Sequence, residues 1–155
     1  MSDFHAEVVA LKEQYPDWRS ATLPALRLAQ ERHGYLSPEA LRETAAALGT
    51  TPAFCESVAS FYDMFHLAPV GRHMVEVCTN VSCALAGAQQ VLEAFEQELG
   101  VSAGETTDDG AFTLRPIECL GGCGWATIVA VDHRYRTHVQ PDDVAGIVKE
   151  LRNGD

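Results

Sequence analysis

The residues best suited to chemistry are cysteines, and four of the five fall into two pairs. Cys78 and Cys83 are spaced C-x4-C, Cys119 and Cys123 are spaced C-x3-C, and 35 residues separate the pairs. Four soft thiolates gathered at one place are what a zinc or iron–sulfur centre requires. Structural zinc sites favour C-x2-C knuckles, and neither spacing here is x2. An x4 loop makes a wider turn, suited to a two-iron cluster, and plant-type [2Fe–2S] proteins use such a pair. The second pair lies among Gly121, Gly122 and Gly124. Glycine lets the backbone come close, so that N–H groups can reach sulfides and tune a cluster. The spacing favours iron–sulfur and leaves a zinc-stabilised interaction module open. A dithiol oxidoreductase would want C-x-x-C, which the sequence lacks.

The other candidates read as structural. Cys55 lies far from both pairs beside an aromatic stripe, and reads as a small buried hydrophobe. His66 and His73 stand near the first pair, and a Rieske centre does use two histidines, but four cysteines already complete a ligand set. His133 and His138 fall in an expected hairpin and read as surface residues. Glu105, Asp108 and Asp109 read as a solvated loop. No G-x-G-x-x-G follows a strand and no Walker A lysine is present, so the chain is not expected to bind a nucleotide itself. No catalytic residue is assigned.

Composition narrows the setting. The chain has 155 residues, 46% of them hydrophobic, enough for a packed core. Its formal net charge of −11 argues against nucleic acid or an anionic membrane as partner. The apolar runs are strand-sized, so direct membrane insertion is not expected. The acidic, helical start Met1-Ser2-Asp3-Phe4 does not resemble a secretory leader. A cytoplasmic location follows as the expectation, and there disulfides rarely persist.

The elements that must position the cysteines follow from periodicity. Phe4, Val8, Leu11 and Tyr15 make one helical stripe, capped by Asp3 and ended by Pro16. Thr22 precedes a second apolar face of Leu23, Leu26 and Ala29. Ser37 caps a third helix, with Pro38 at its first position and a Leu36–Leu41 staple. Thr51-Pro52 starts a fourth, whose stripe of Phe54, Val58, Phe61 and Phe65 reads as core. Ala68-Pro69-Val70-Gly71 breaks the pattern. Beyond it the sequence predicts a strand over 74–77, a helix over 84–99 that includes Leu85, and a polar loop over 104–110. Then come strands at 112–117 and 128–131, a hairpin partner at 135–139 and a closing helix over 142–151. The expected fold class is α+β: residues 1–70 a four-helix bundle, residues 71–155 a small α/β domain with both cysteine pairs at strand ends.

These residues match a family. Gly34-Tyr35-Leu36-Ser37 and Val58-Ala59-Ser60-Phe61-Tyr62 fall in the helical part. Val77-Cys78 through Cys83, Gly104-Glu105-Thr106-Thr107-Asp108-Asp109-Gly110 and Glu118-Cys119-Leu120-Gly121 fall in the second part. In this order they resemble the NuoE-type subunit of respiratory NADH:quinone oxidoreductase (complex I), a thioredoxin-like [2Fe–2S] ferredoxin. The resemblance implies a thioredoxin-like second domain and a [2Fe–2S] cluster on Cys78, Cys83, Cys119 and Cys123. It implies a helical extension that docks on a flavoprotein carrying FMN and the NADH site, with further iron–sulfur subunits beyond it. It also implies a place at the inner membrane, held peripherally through the complex. The same module recurs in NAD-dependent formate dehydrogenases and NAD-linked hydrogenases, and a free-standing ferredoxin would lack the extension. One departure stands out: the family usually has Ala-Pro soon after the last cysteine, where this chain has Ala126-Thr127 preceded by Trp125. The departure bears on the backbone behind Cys123 and leaves the four ligands untouched.

Overall fold

A computed structural model describes residues 3–154, which form two compact units divided between Pro69 and Val70. In the first unit four α-helices, α1 (Asp3–Glu13), α2 (Thr22–His33), α3 (Pro38–Leu48) and α4 (Pro52–Phe61), surround one apolar core. Phe4, Leu26, Leu36 and Leu48 are fully buried there, each such side chain contributing roughly 1.5–3 kcal/mol. Two helix starts are chemically explicit. Ser37 Oγ accepts from the Ala40 N–H at 3.1 Å, and Thr51 Oγ1 accepts from the Phe54 N–H at 3.3 Å. Pro38 and Pro52 each follow their cap, where a missing N–H costs nothing.

Several expectations are corrected in this unit. Asp3 stands inside the first turn of α1 rather than before it, where its charge still suits the helix dipole. Tyr15 lies beyond the end of α1 and is exposed. Thr22 is helical; the cap position belongs to Ala21, at the end of a 3-10 turn (Trp18–Ala21) that is itself capped by Asp17. The largest change concerns α4. Its inward face carries Cys55 and Ala59, one turn apart, while Phe61 is 78% exposed. Against α3, whose buried residues include Ala40, Ala45 and Ala47, small side chains allow close approach. Helix α4 also stops at Phe61 and Tyr62 turns extended, so Phe65 reaches the core from outside the helix.

In the second unit four strands, β1 (His73–Cys78), β2 (Phe112–Ile117), β3 (Val129–Val131) and β4 (Arg134–Arg136), pair in the order β2-β1-β3-β4. β1 and β2 are parallel, and the other two pairings are antiparallel. A parallel neighbour needs a crossover, here supplied by α5 (Val81–Leu85) and α6 (Ala88–Leu99). Together with α7 (Val144–Asn153), α6 lays its apolar side against Val75, Val77, Phe112 and Leu114 of the sheet. The single helix expected over 84–99 is two helices, broken at Gly87, whose φ of 100° is open to glycine at little steric cost. That break leaves Leu85 86% exposed instead of on the apolar face. The β3–β4 turn uses left-handed Asp132 and His133, as tight hairpins require. Among the described residues no helix is long and apolar enough to cross a membrane.

Candidate metal centre

Register places the two cysteine loops side by side. Cys78 is the last residue of β1 and lies opposite Ile117, the last residue of β2. Each strand then delivers its loop at the same sheet edge. The junction is closed by Thr79, whose N–H and hydroxyl both bond to the Ile117 carbonyl, at 2.9 and 3.2 Å. Asn80 caps α5, which turns Cys83 inward. Neither Thr79 nor Asn80 is among the residues expected at the site; a threonine–asparagine pair before an apolar run is the cap signal that could have found them.

Cys78 and Cys83 are buried and pack with Ala88 and Ile128 in a small apolar cluster of their own. Burial pushes the Cys83 thiol up, and the adjacent Cys78 and the Cys123 charge push the same way, against a hydrogen bond with the Ile128 backbone. Cys119 and Cys123 are exposed. Cys119 Sγ accepts from the Gly121 N–H at 3.3 Å, the kind of bond that tunes a thiolate ligand. A Cβ on Gly122 would overlap Ile128 Cδ1, so the buried Ile128 side chain would have to shift to admit one. Gly121 has φ 75°, again a glycine conformation.

Cys83 has Cys78 and Cys123 as electrostatic neighbours, while Cys119 bonds within its own loop. Among the described residues no three His, Cys, Asp or Glu side chains are gathered closely enough to hold a metal ion. None of the five cysteines is in a disulfide. Two buried and two exposed thiols on adjoining loops, with a backbone N–H already on one sulfur, suit a two-iron cluster, which takes its ligands as two pairs.

The remaining candidates stand apart from this edge. His73 is five residues from Cys78 along β1, roughly 16 Å of strand, and its Nδ1 lies 2.7 Å from Asp132. His133 and His138 are exposed. His66 is in the first unit, where its N–H bonds to Gln30. Cys55 is fully buried, and burial pushes its thiol up to about 11. Glu105, Asp108 and Asp109 are exposed. An ion pair with no signal in the sequence joins buried Glu76, two residues before Cys78, to half-buried Arg115, from which it accepts at 2.9 Å across the β1–β2 ladder. Behind Cys123 the Ala126–Thr127 peptide is cis and Thr127 is fully buried, its carbonyl accepting from Val139 at 3.0 Å.

The profile of the thioredoxin-like [2Fe-2S] ferredoxins matches residues 8–152, nearly the whole chain. The chain belongs to that family. Among its relatives is a Rhizobium meliloti protein, the second of the E-type subunits of NADH-quinone oxidoreductase, 40% identical over 146 residues, covering 94% of this chain and 87% of that one. NADH-quinone oxidoreductase subunit 2 of Thermus thermophilus is 37% identical over 137 residues, covering 88% and 76%. The E-type subunit of Mycobacterium tuberculosis is 41% identical over 140 residues, but this chain spans 56% of its length. A solved NAD+-reducing [NiFe]-hydrogenase superposes with a TM-score of 0.74 at 19% identity, over 83% of this chain and 23% of the other. At that identity the likeness concerns the fold. In this chain a helical unit precedes a mixed four-stranded sheet, with the cysteine loops after the neighbouring strands β1 and β2.

Proposed function

We propose that this chain is the [2Fe–2S] electron-transfer subunit of an NADH:quinone oxidoreductase, with Cys78, Cys83, Cys119 and Cys123 as ligands. It exchanges single electrons with the FMN of an NADH-binding flavoprotein partner. The carrying observation is the placement of both cysteine loops at the ends of neighbouring parallel strands, in a chain 40% identical to an E-type subunit of NADH-quinone oxidoreductase. When bound, such a cluster takes up and returns one electron where a flavin handles two.

The chain's own residues divide the work. Ala88 and Ile128 pack on Cys78 and Cys83 and keep water from that pair. The Gly121 N–H stabilises negative charge on Cys119. Exposed Cys119 and Cys123 form the side on which a redox partner gains closest access. The helical extension, residues 1–70, docks on the flavoprotein; Phe61, Tyr62, Met64 and Leu67 are exposed apolar side chains there, and exposed apolar surface marks interaction sites. The chain sits in a larger assembly with further iron–sulfur subunits, peripheral to the inner membrane through that complex. NADH and FMN stay on the partner.

The purified chain is expected to be red-brown, with visible absorption bleached by dithionite and two irons per chain. Serine at any of the four cysteines is expected to lower iron content and alter that absorption. A colourless protein with stoichiometric zinc would overturn the proposal in favour of a structural zinc module.

A further inference from the structure

Apart from the thiols themselves, the stretches that carry the four cysteines hold no ionisable side chain. Residues 77–92 and 119–131 contain no Asp, Glu, Lys or Arg, in a chain that is 21% charged with net charge −11. Yet these stretches display large apolar side chains to solvent. Leu85 is 86% exposed, Val81 66% and Trp125 59%. Val81 and Leu85 lie one turn apart on α5, on the side opposite inward-facing Cys83. Trp125 closes the 3-10 turn Cys123–Trp125, which packs against α5.

The backbone of Trp125 is also held in place. Its N–H bonds to the Gly122 carbonyl at 2.9 Å and its carbonyl accepts from His138 at 3.0 Å. A large aromatic on fixed backbone loses little further freedom on binding, which is the profile of an interface anchor. A partner that recognised this side with basic residues would need acids around the exposed cysteines. Only Glu118 adjoins them in sequence.

We propose that Val81, Leu85 and Trp125 form the second unit's own docking face for the redox partner, which meets it with an apolar, uncharged surface. This rests on the function proposed above and specifies how the cysteine-bearing side is recognised. Trp125 is the anchor, and the two α5 residues complete the apolar contact. Binding there depends on excluded water rather than on charge steering, so it is insensitive to salt.

The test measures affinity of the full chain for the purified NADH- and FMN-binding partner at low and high salt. Wild type, Trp125→Ala and Leu85→Ser are compared, with the visible spectrum of each recorded. Trp125→Ala is expected to bind at least about tenfold more weakly with its spectrum unchanged. Leu85→Ser, on the other element, is expected to weaken binding several-fold. Wild-type affinity is expected to change less than about threefold between the two salts. Undiminished affinity in both variants overturns the proposal, as does a steep loss of wild-type affinity with salt. A wild-type dimer in solution that both substitutions dissociate assigns the face to a second copy and also overturns it. Absence of iron–sulfur absorption in wild type counts against the functional reading alone, because the variant affinities still judge the docking face.

Discussion

At the scale of single residues, space and proton affinity give two sharp expectations. Gly122→Ala places a methyl against Ile128 Cδ1 inside the cysteine cluster. Overpacking of this kind costs about 1–3 kcal/mol. Shortening the obstacle with Ile128→Val should return part of that loss, a coupling read from urea midpoints of the single and double variants. Additive losses would show that the clash is not the cause. Cys55 tests the other property. Burial holds its thiol at about 11 against an ordinary 9.0, so the folded chain keeps this proton longer than the unfolded chain does. The stability tied to the neutral thiol is complete below the ordinary value and declines as pH rises from 9 toward 11. The decline is on the order of 2 kcal/mol by the upper end. Wild type should therefore lose stability across that range more steeply than Cys55→Ala; parallel curves would refute the assignment. Cys55 can be read from the sequence as buried, because a lone thiol beside an aromatic stripe and far from both cysteine pairs has little else to do. Phe61 cannot, since its stripe is equally apolar whether it faces inward or out.

At the scale of elements, the parts readable from sequence are those with local chemistry. Ser37-Pro38 and Thr51-Pro52 start α3 and α4 where cap preference places them, because the hydrogen bonds involved span three residues. Ser37→Ala is accordingly expected to cost about 1 kcal/mol. Ser57→Ala, removing an exposed mid-helix hydroxyl bonded to the Phe54 carbonyl, should stay within about 0.5 kcal/mol. Equal effects in thermal melts would mean that the cap bond contributes nothing. The strand ends at Cys78 and just before Cys119 are also readable, since the change from helical to alternating periodicity is local. What the sequence hides is decided at a distance. Gly87 breaks α5 from α6, allowing Cys83 to face the small Ala88–Ile128 cluster, and Ile128 lies 45 positions after Cys83. The Glu76–Arg115 pair likewise exists only once β1 and β2 are in parallel register. The left-handed Asp132–His133 turn is legible as a hairpin, but its service to β1 is not: Asp132 Oδ1 accepts from the Met74 N–H at 2.9 Å.

At the scale of the molecule, the question is what the cluster holds together. The large core of the second unit, with Val75, Phe95, Phe112, Leu114 and Ile147, contains no cysteine. The separate cluster at the sheet edge has four buried members, Cys78, Cys83, Ala88 and Ile128, and half of them are proposed ligands. A core of that size cannot order two loops alone, whereas a metal bond across them can. Removing iron by chelation is therefore expected to loosen residues 79–87 and 118–127 without unfolding the sheet. Hydrogen exchange should show those amides losing most of their protection, while the Val75, Phe95 and Leu114 amides stay within about tenfold of the loaded protein. The first unit, whose own core is built from Phe4, Leu26, Leu36 and Leu48, should keep its protection unchanged. Global loss of protection on iron removal would mean that the two cysteine loops are a condition of folding rather than an addition to a fold that stands without them. That result would also move the origin of stability from the buried aromatic and aliphatic side chains to the ligand bonds, against the distribution of burial in the second unit.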